Sequence, residues 1–346
     1  MSVIIWFIVL IIAAFAAHWG AEHLAKPLHK LVGQWGLTAV AGGAMLALFT
    51  AGSEFLISVT SAVRGVSGIG LGMVLGSSII HVPAIVTVAY FATRQRRLGK
   101  DGQEEMVEDE EKPEQHKRHL DQHLLRVRKE AVSVLVLPYL ALVILIGIVT
   151  LPEAWRGLQP IDGLILSLAY LVYLGQALMR GRGEGEKQEW SRKEIGMAVA
   201  GVVVMALGAY TMVRSTENIA SSLGISEVVA GLFITAVAGS GAEWFSSWKV
   251  ARTGQVTEAT TVVIGDHAVT LTLGLLPLAL VTMPIDNLPL YVVSLVFVGL
   301  IPAFYGIFIR WGPEEAGFQR WQVFALDGLY IVYVAIVLFG ILNVLE

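Results

Sequence analysis

The stretch LALFTAGSEFLISVTSAV, residues 46–63, is an apolar run interrupted by one acidic residue, Glu54. Its length suits a membrane span, because a transmembrane helix needs about 20 mostly apolar residues. A carboxylate at that depth costs at least about 2.5 kcal/mol to insert, so it is expected to face a cavity or a partner rather than lipid. The stretch therefore predicts a membrane helix that carries a functional acid.

A second stretch, ITAVAGSGAEWFSSWKV, residues 234–250, repeats the pattern around Glu243. When the chain is aligned with itself so that Glu54 falls on Glu243, 11 of 37 ungapped positions are identical. We call this superposition of the two halves the repeat alignment. With five spans in each half, an odd number, the second half enters the membrane from the opposite side. Inverted repeats of this kind build many secondary transporters, with the binding site near mid-membrane.

Composition places the whole chain in the membrane. Of its 346 residues, 55% are hydrophobic and only 15% are charged, whereas soluble domains are about one quarter charged. The two segments 94–130 and 181–194 hold 28 of the 52 formal charges. This pattern excludes an ordinary soluble enzyme, a disordered chain and a nucleic-acid binder. The absence of cysteine excludes disulfides and thiolate chemistry.

The predicted fold class is an all-α integral membrane protein with ten transmembrane helices in two inverted five-helix repeats. The predicted spans are 3–18, 36–63, 68–93, 131–150, 161–179, 194–213, 225–251, 257–283, 288–309 and 321–344. The corresponding domains are a first repeat at 1–180, which includes a cytoplasmic loop at 94–130, a linker at 181–193 and a second repeat at 194–346.

The distribution of basic residues predicts the orientation. With both termini outside, 21 of the 24 Lys and Arg residues lie on the cytoplasmic side, as the positive-inside rule requires. Residues 3–17 are apolar and no Lys or Arg precedes them, so we expect a retained first helix rather than a cleaved signal. The expected location is a prokaryotic inner or plasma membrane, crossed many times.

Polar side chains accompany each glutamate. Small residues precede both acids, and such stretches let backbone carbonyls turn toward a cavity. A second polar cluster follows in each half, GSSIIH with Ser77 and His81, and GDHAVT with Asp266 and His267. Hydroxyl, carbonyl and carboxylate oxygens are hard ligands, which suit Ca²⁺ or Na⁺ rather than soft metals.

With these motifs the chain resembles the cation/calcium antiporter superfamily, which includes sodium/calcium and calcium/proton exchangers. The family carries a G-T-S-x-P-E or G-N-x-x-E sequence in each repeat, followed by G-S-N or G-S-S on the next helix. Here the repeats read FTAGSE with LGSSIIH, and AGSGAE with IGDHAVT. No proline precedes either glutamate, and Ser78 and His267 replace the asparagine of G-S-N. The stretch GIGLGMVLGSSIIHVPAIV is more similar to the calcium/proton branch.

The resemblance implies that Glu54 and Glu243 are the paired cation-binding carboxylates. It also implies a larger set of cation-binding residues: Glu54, Glu243, Asp266, Ser77, Thr50 and Ser240, of which the three acids are the direct metal ligands. His81 and Thr270 fall where sodium/calcium members often carry Asn or Asp. His81 and His267, beside the predicted site, are the candidates for proton coupling, because histidine titrates nearest to physiological pH.

The predicted function is a secondary active antiporter, not an enzyme, that exchanges Ca²⁺ or a similar hard cation for H⁺ or Na⁺ by alternating access. Its partners are membrane lipid and the transported cations, and no cofactor is expected. The alternatives are a Na⁺(K⁺)/H⁺ exchanger on the same scaffold and a cation channel. A third alternative is an intramembrane hydrolase that uses Glu243 and His267. In the loop at 94–130, His116, His119 and His123 share one helical face, which suits either a regulatory metal site or a solvated connector helix.

Overall fold

A computed structural model describes residues 2–35, 48, 50–94, 120–127, 136–179, 191–254, 256–312 and 317–343. Most of the predicted loop at 94–130, including His116 and His119, lies outside the described residues. Most of the predicted linker at 181–193 also lies outside them.

The described residues are almost entirely helical. The helices are α1 Val3–Gln34, α2 Gly52–Arg64, α3 Ser67–Ala92, α4 Leu137–Thr150, α5 Pro160–Met179, α6 Arg192–Leu223, α7 Glu227–Ala230, α8 Ala236–Arg252, α9 Val256–Thr270, α10 Leu276–Leu280, α11 Leu288–Arg310 and α12 Arg320–Ala335. A π-helical turn, Gly231–Thr235, joins α7 to α8, and a second one, Ile336–Ile341, continues α12. Two short strands, β1 Leu124–Arg126 and β2 Gly317–Gln319, pair antiparallel.

Six helical segments in the described part of the chain are long and apolar enough to cross a membrane. They are Val3–Leu24, Ser67–Ala92, Arg192–Leu223, Glu227–Arg252, Leu288–Arg310 and Arg320–Ile341, and shorter apolar helices occupy Leu137–Thr150 and Pro160–Val172. The all-α membrane prediction is therefore confirmed, whereas the number of ten spans stays a prediction.

Two predicted spans differ clearly from the observed helices: the first, 3–18, extends to Gln34 as α1, and the eighth, 257–283, is interrupted. The helix α9 ends at Thr270, and a turn precedes α10. Two hydrogen bonds of Gly274 and Thr272 explain why the helix is interrupted. The N–H of Gly274 bonds to the carbonyl of Val269, and the hydroxyl of Thr272 bonds to the carbonyl of Ala268. A Cβ at Gly274 would lie 2.3 Å from the Thr270 carbonyl oxygen, so the turn requires glycine there. The consequence is that Thr270 stands at a helix end.

The chain forms two compact units, and each takes segments from both halves of the sequence. The first unit contains Met1–Ser77, Ile144–Ala242 and Gly265–Ile285, and the second contains Ser78–Val143, Glu243–Ile264 and Asp286–Glu346. These units do not follow the predicted division into residues 1–180 and 194–346. That division concerns the repeats, and it stays a prediction.

Small residues pack α1 against α6 in the first unit. A Cβ at Gly20 would lie 2.4 Å from the Gly201 carbonyl oxygen, and one at Gly208 would lie 2.8 Å from the Ala17 nitrogen. Lys30 also forms an ion pair with Glu194. Residues that come later in α1 contact residues that come earlier in α6, so the two helices are antiparallel. This close approach is typical of membrane helices, where small residues bring backbones together.

In the same unit, glycines of α3 pack against the segment that contains α7. A Cβ at Gly72 would lie 2.2 Å from the carbonyl oxygen of Val228, and one at Gly76 would lie 2.4 Å from that of Leu232. Gly76 comes four residues after Gly72, and its contact Leu232 comes four residues after Val228, so the two segments run parallel. In the predicted ten-span order, spans one and six are five apart and should be antiparallel, and spans three and seven should be parallel. The observed directions agree with that order.

Hydrogen bonds of hydroxyl groups stabilise the second unit in addition to apolar packing. Tyr139 donates to the carbonyl of Val298 at 3.1 Å, and the hydroxyls of Ser294 and Tyr333 are 3.0 Å apart. The strand pair adds a buried aromatic, Phe318, at the end of the membrane helices. These bonds satisfy polar groups that lipid would leave without a partner.

The repeat alignment is reproduced in the backbone itself. Gly65 and Gly254 both adopt a left-handed conformation, with φ of 73° and 96°. Each N–H bonds at 3.2 Å to a carbonyl three positions earlier, that of Ala62 in the first case and of Ala251 in the second. The alignment that places Glu54 on Glu243 also places Gly65 on Gly254, so equivalent helices of the two halves end in the same way. Glycine adopts this conformation without a steric penalty.

The close packing of α3 generates a prediction about stability. Gly72→Ala should lower the free energy of unfolding by about 1–3 kcal/mol, because the new methyl group would overlap the Val228 carbonyl. Gly196→Ala is the matched control, since a Cβ there meets nothing within 4 Å. The measurement is the thermal midpoint of each purified variant in detergent. Equal midpoints for the two variants would contradict the packing.

Candidate functional site

Glu54 lies in the first turn of α2 and is only 7% exposed. Its position favours a negative charge, because the N-terminal end of a helix carries partial positive charge. The hydroxyl of Thr270, at the end of α9, donates to Glu54 Oε2. The hydroxyl of Ser77 on α3 also lies close to this carboxyl group, and it bonds to the Val74 carbonyl of its own helix at 3.4 Å. Side-chain hydroxyls thus take the place of water around a buried acid.

A second acid, Asp266, lies one turn before Thr270 on α9. Thr50 donates its hydroxyl to Asp266 Oδ1 at 2.5 Å. Thr270 is also 3.0 Å from the backbone carbonyl of Asp266. When both are ionised, the carboxylates of Asp266 and Glu54 repel each other. We call Glu54, Asp266, Thr50, Thr270 and Ser77 the carboxylate cluster; all five belong to the first unit.

Parallel packing of α2 and α9 creates the carboxylate cluster. Thr50 pairs with Asp266, and Glu54 pairs with Thr270, so both partners advance by four positions. Asp266 and Thr270, four apart, occupy the same face of α9, whereas Thr50 lies two positions before α2 begins at Gly52. The two hydrogen bonds therefore stack along one seam between the helices.

The other repeat glutamate, Glu243, contacts a histidine in the second unit. His81 Nε2 is 3.3 Å from Glu243 Oε2, with a fully buried imidazole and a carboxylate that is 28% exposed. In the repeat alignment, Glu54 corresponds to Glu243, and His81 corresponds to Thr270. The same two positions therefore make contact twice, each time between the two halves of the sequence, with a hydroxyl as the partner of Glu54 and an imidazole as the partner of Glu243.

Two predicted site residues have other surroundings. Ser240 donates to the carbonyl of Ala236, one turn earlier in its own helix, at 2.6 Å. His267 is fully buried on α9, next to Asp266. In the described ranges, no group of three or more His, Asp or Glu side chains is arranged to hold a metal. The convergence of Glu54 and Glu243 on one cavity stays a prediction, because the two residues belong to different units.

Sequence reasoning missed two polar contributions. Thr270 was not among the predicted cation-binding residues, although its hydroxyl bonds to the Glu54 carboxylate and to the backbone carbonyl of Asp266. Asp327, an acid within α12, accepts a hydrogen bond from Thr87 at 2.7 Å in the second unit. An acid inside an apolar span was a signal for Asp327. For Thr270 the signal was its place in the motif GDHAVT, at a position where sodium/calcium members often carry Asn or Asp, but its bond to Glu54 depends on how the helices pack.

The chemistry of the carboxylate cluster suits hard cations. It offers two carboxylates and three hydroxyls, which are oxygen ligands, and nitrogen and sulfur ligands are not part of it. Hydroxyl groups can rotate, so an oxygen lone pair can turn toward an arriving cation. Oxygen ligands buried among apolar membrane helices define a class of protein, the ion transporters.

The comparisons identify the family. The family model described as "Sodium/calcium exchanger protein" matches residues 3–179 and again residues 193–339. These two matches cover nearly all of the chain, and the chain belongs to the sodium/calcium exchanger family. It is therefore a membrane exchanger and not an enzyme. A search of curated proteins finds no match.

Solved exchanger structures share the fold. A structure of the sodium-calcium exchanger NCX_Mj, soaked with Na⁺ and without Ca²⁺, has a TM-score of 0.61 and 20% sequence identity, covering 96% of this chain and 99% of that one. The H⁺/Ca²⁺ exchanger CAX has a TM-score of 0.64 and 12% identity, covering 97% of this chain and 80% of that one. At these identities the likeness establishes the fold.

The carboxylate cluster generates the second prediction. Thr270→Val removes the hydroxyl that bonds to Glu54 and keeps the shape of the side chain, so it should lower the free energy of unfolding by about 1–3 kcal/mol. Thr211→Val is the matched control, because the Thr211 hydroxyl bonds only to the Leu207 carbonyl of its own helix, at 2.8 Å. The measurement is thermal unfolding in detergent. A loss in the control as large as that in Thr270→Val would assign the effect to helix content instead.

Proposed function

We propose that this protein is a secondary active cation antiporter that exchanges Ca²⁺, or a similar hard cation, for H⁺ or Na⁺ by alternating access. Family membership supports cation antiport. The observation that carries the site is the buried carboxylate cluster around Glu54. The ions are cargo, and no cofactor is proposed.

The two acids of the cluster explain why a cation would bind. Like charges in a low-dielectric interior repel strongly. The repulsion between Glu54 and Asp266 falls when a cation or a proton arrives, and it returns when that ion leaves. A cluster that always needs a positive partner exchanges one cation for another more readily than it stays empty. This requirement for continuous occupancy is the physical basis of antiport.

We further propose that Glu243 is the second cation-binding carboxylate. Its equivalence to Glu54 in the repeat alignment supports this role, because inverted repeats place equivalent residues around a shared site. Asp266, Thr50, Ser77 and Ser240 would supply further oxygens. The repeats 1–180 and 194–346, joined by the linker at 181–193, would then alternate in opening the site to the two sides.

The counter-ion is H⁺ or Na⁺. The contact between His81 and Glu243 favours H⁺, since a proton at this pair would compete with a bound cation. His267, next to Asp266, is the second candidate for proton coupling. If Na⁺ and K⁺ rather than Ca²⁺ exchange for protons, the same scaffold acts as a Na⁺(K⁺)/H⁺ exchanger, the runner-up function.

The membrane orientation proposed from the basic residues has both termini outside. The loop at 94–130 then faces the cytoplasm, and the bilayer is that of a prokaryotic inner or plasma membrane. The protein's partners are membrane lipid, which contacts its surface, and the cations that it transports.

The deciding experiment is ion flux in proteoliposomes. Gradients of Ca²⁺, Na⁺, K⁺ and H⁺ are imposed one at a time, and uptake of each ion is followed. Ca²⁺ uptake that an opposing H⁺ or Na⁺ gradient drives supports antiport and names the counter-ion. Flux that follows only its own gradient would indicate a channel and would contradict antiport.

Substitution of the paired glutamates is the third prediction. Glu54→Gln or Glu243→Gln should reduce exchange to background while the protein stays folded, because each removes one ligand charge and keeps the shape. The control is Glu153→Gln, at an exposed turn between α4 and α5. The measurements are proteoliposome flux and elution from size-exclusion chromatography. Near-normal exchange in either variant would remove the proposed role of that glutamate.

The fourth prediction concerns pH. Cation uptake should fall as the pH drops, because protons bound near the site repel the cation. His81→Asn together with His267→Asn should flatten this dependence. His18→Asn is the control, since His18 forms a comparable contact with Glu22 at 3.4 Å within α1. The measurement is uptake against a pH gradient without Na⁺. Uptake that needs Na⁺ and ignores the pH gradient would establish sodium coupling instead.

A further inference from the structure

The face of α2 that carries Glu54 continues with two serines. Ser58 and Ser61 follow Glu54 at the i+4 and i+7 positions, and this spacing places all three on one helical face. Both serine side chains are fully buried. A buried polar line therefore extends from the carboxylate cluster toward the C-terminal end of α2.

The two serine hydroxyls are not satisfied by the protein. Neither has a hydrogen-bond partner among the residues that the structure describes. Other buried hydroxyls bond to a carbonyl one turn earlier, as Thr150 does at 2.7 Å and Thr260 at 2.9 Å. The hydroxyls of Ser167 and Ser215 are also unpartnered in the described part of the chain, but only Ser58 and Ser61 follow Glu54 on one helical face. A buried hydroxyl without a partner costs about 1–3 kcal/mol. Two such groups in line with a buried carboxylate indicate that something polar occupies this face in another state.

The second repeat lacks this feature. Ser247 is equivalent to Ser58, but its hydroxyl donates to the carbonyl of Ala259 at 2.8 Å. The position equivalent to Ser61 is Val250. The unpartnered hydroxyl line therefore belongs to the first repeat alone, and inherited repeat structure does not explain it.

The neighbouring helices pack tightly against this face. A Cβ at Gly70 of α3 would lie 3.0 Å from the Ser61 Cβ and 2.9 Å from Leu278 Cδ2 of α10, so only glycine fits there and the face is closed. Along the helix axis, Ser58 lies about 6 Å and Ser61 about 10 Å from Glu54, at a rise of about 1.5 Å per residue. The line leads to the end of α2, where Arg64 pairs with Glu217 at 2.5 Å.

We propose that Ser58 and Ser61 line an access passage by which a partly hydrated hard cation reaches Glu54 from the Arg64 end of α2. The inference rests on the proposed role of Glu54 as a cation ligand. In this structure the passage is closed, because both serines are buried and Leu278 covers Gly70. When it opens, water or the cation supplies the partners that the two hydroxyls lack. In the proposed orientation this end faces the outside.

The natural absence of cysteine allows a direct test. Ser58→Cys and Ser61→Cys are reconstituted, and each is exposed from one side to a cationic or an anionic membrane-impermeant methanethiosulfonate reagent. Both cysteines should react from the Arg64 side only. The cationic reagent should react at least about tenfold faster, since a charged cleft concentrates counter-ions by that factor or more. Added Ca²⁺ should slow the reaction. Ser247→Cys, at the equivalent position with a bonded hydroxyl, should not react.

A second pair of variants keeps the test independent of reagent size. Ser58→Ala and Ser61→Ala remove the unpartnered hydroxyls, so each should raise the thermal midpoint while slowing cation uptake from the Arg64 side. A higher midpoint with unchanged uptake would mean that the serines are only packing residues, and it would overturn the inference.

The remaining outcomes separate this inference from the proposed function. Ser61→Cys that transports cations but reacts from neither side overturns the passage and leaves the antiporter intact. Combining Ser61→Cys with Glu54→Gln should remove both the preference for the cationic reagent and the protection by Ca²⁺. An unchanged preference would overturn the link to Glu54. Normal flux in Glu54→Gln alone would instead overturn the proposed role of Glu54.

Discussion

The carboxylate of Glu54 lies in an apolar membrane unit where bulk water does not solvate its charge. The hydroxyl of Thr270 on α9 replaces part of that water, and Ser77 of α3 lies close to the same carboxyl group. Because an unsolvated charge is expensive, α2, α3 and α9 must approach closely enough to supply these contacts. Gly70 of α3 allows α3 to approach α2 closely, since a Cβ there would lie 3.0 Å from the Ser61 Cβ.

The two repeats share a backbone plan and differ in chemistry. Equivalent glycines end equivalent helices, and equivalent positions make the glutamate contacts in each unit. Thr270 serves one glutamate, and His81 serves the other. A hydroxyl holds a carboxylate without changing charge, whereas an imidazole can gain a proton. The two glutamates therefore have chemically different partners at equivalent positions.

How much the sequence predicts depends on the range of the interaction. Span positions and the acids within them follow from local hydropathy, and most of the predicted spans coincide with observed helices. The end of α9 at Thr270 was missed, since the turn is set by hydrogen bonds and a close approach at Gly274 that a hydropathy pattern does not record. The strand pair β1–β2 was missed as well, because three-residue strands from distant segments carry little local signal.

By itself, the sequence determined the membrane class, the repeat that aligns one half with the other and the two glutamates, because the insertion cost of a charge is a property of the local chain. Only the tertiary structure decided which hydroxyls meet those acids. The partners of Glu54 and Asp266 lie 216 residues away, and their identity depends on the parallel packing of α2 and α9. Side chains on different helices meet only when that packing fixes both the register and the facing sides, and composition cannot specify either.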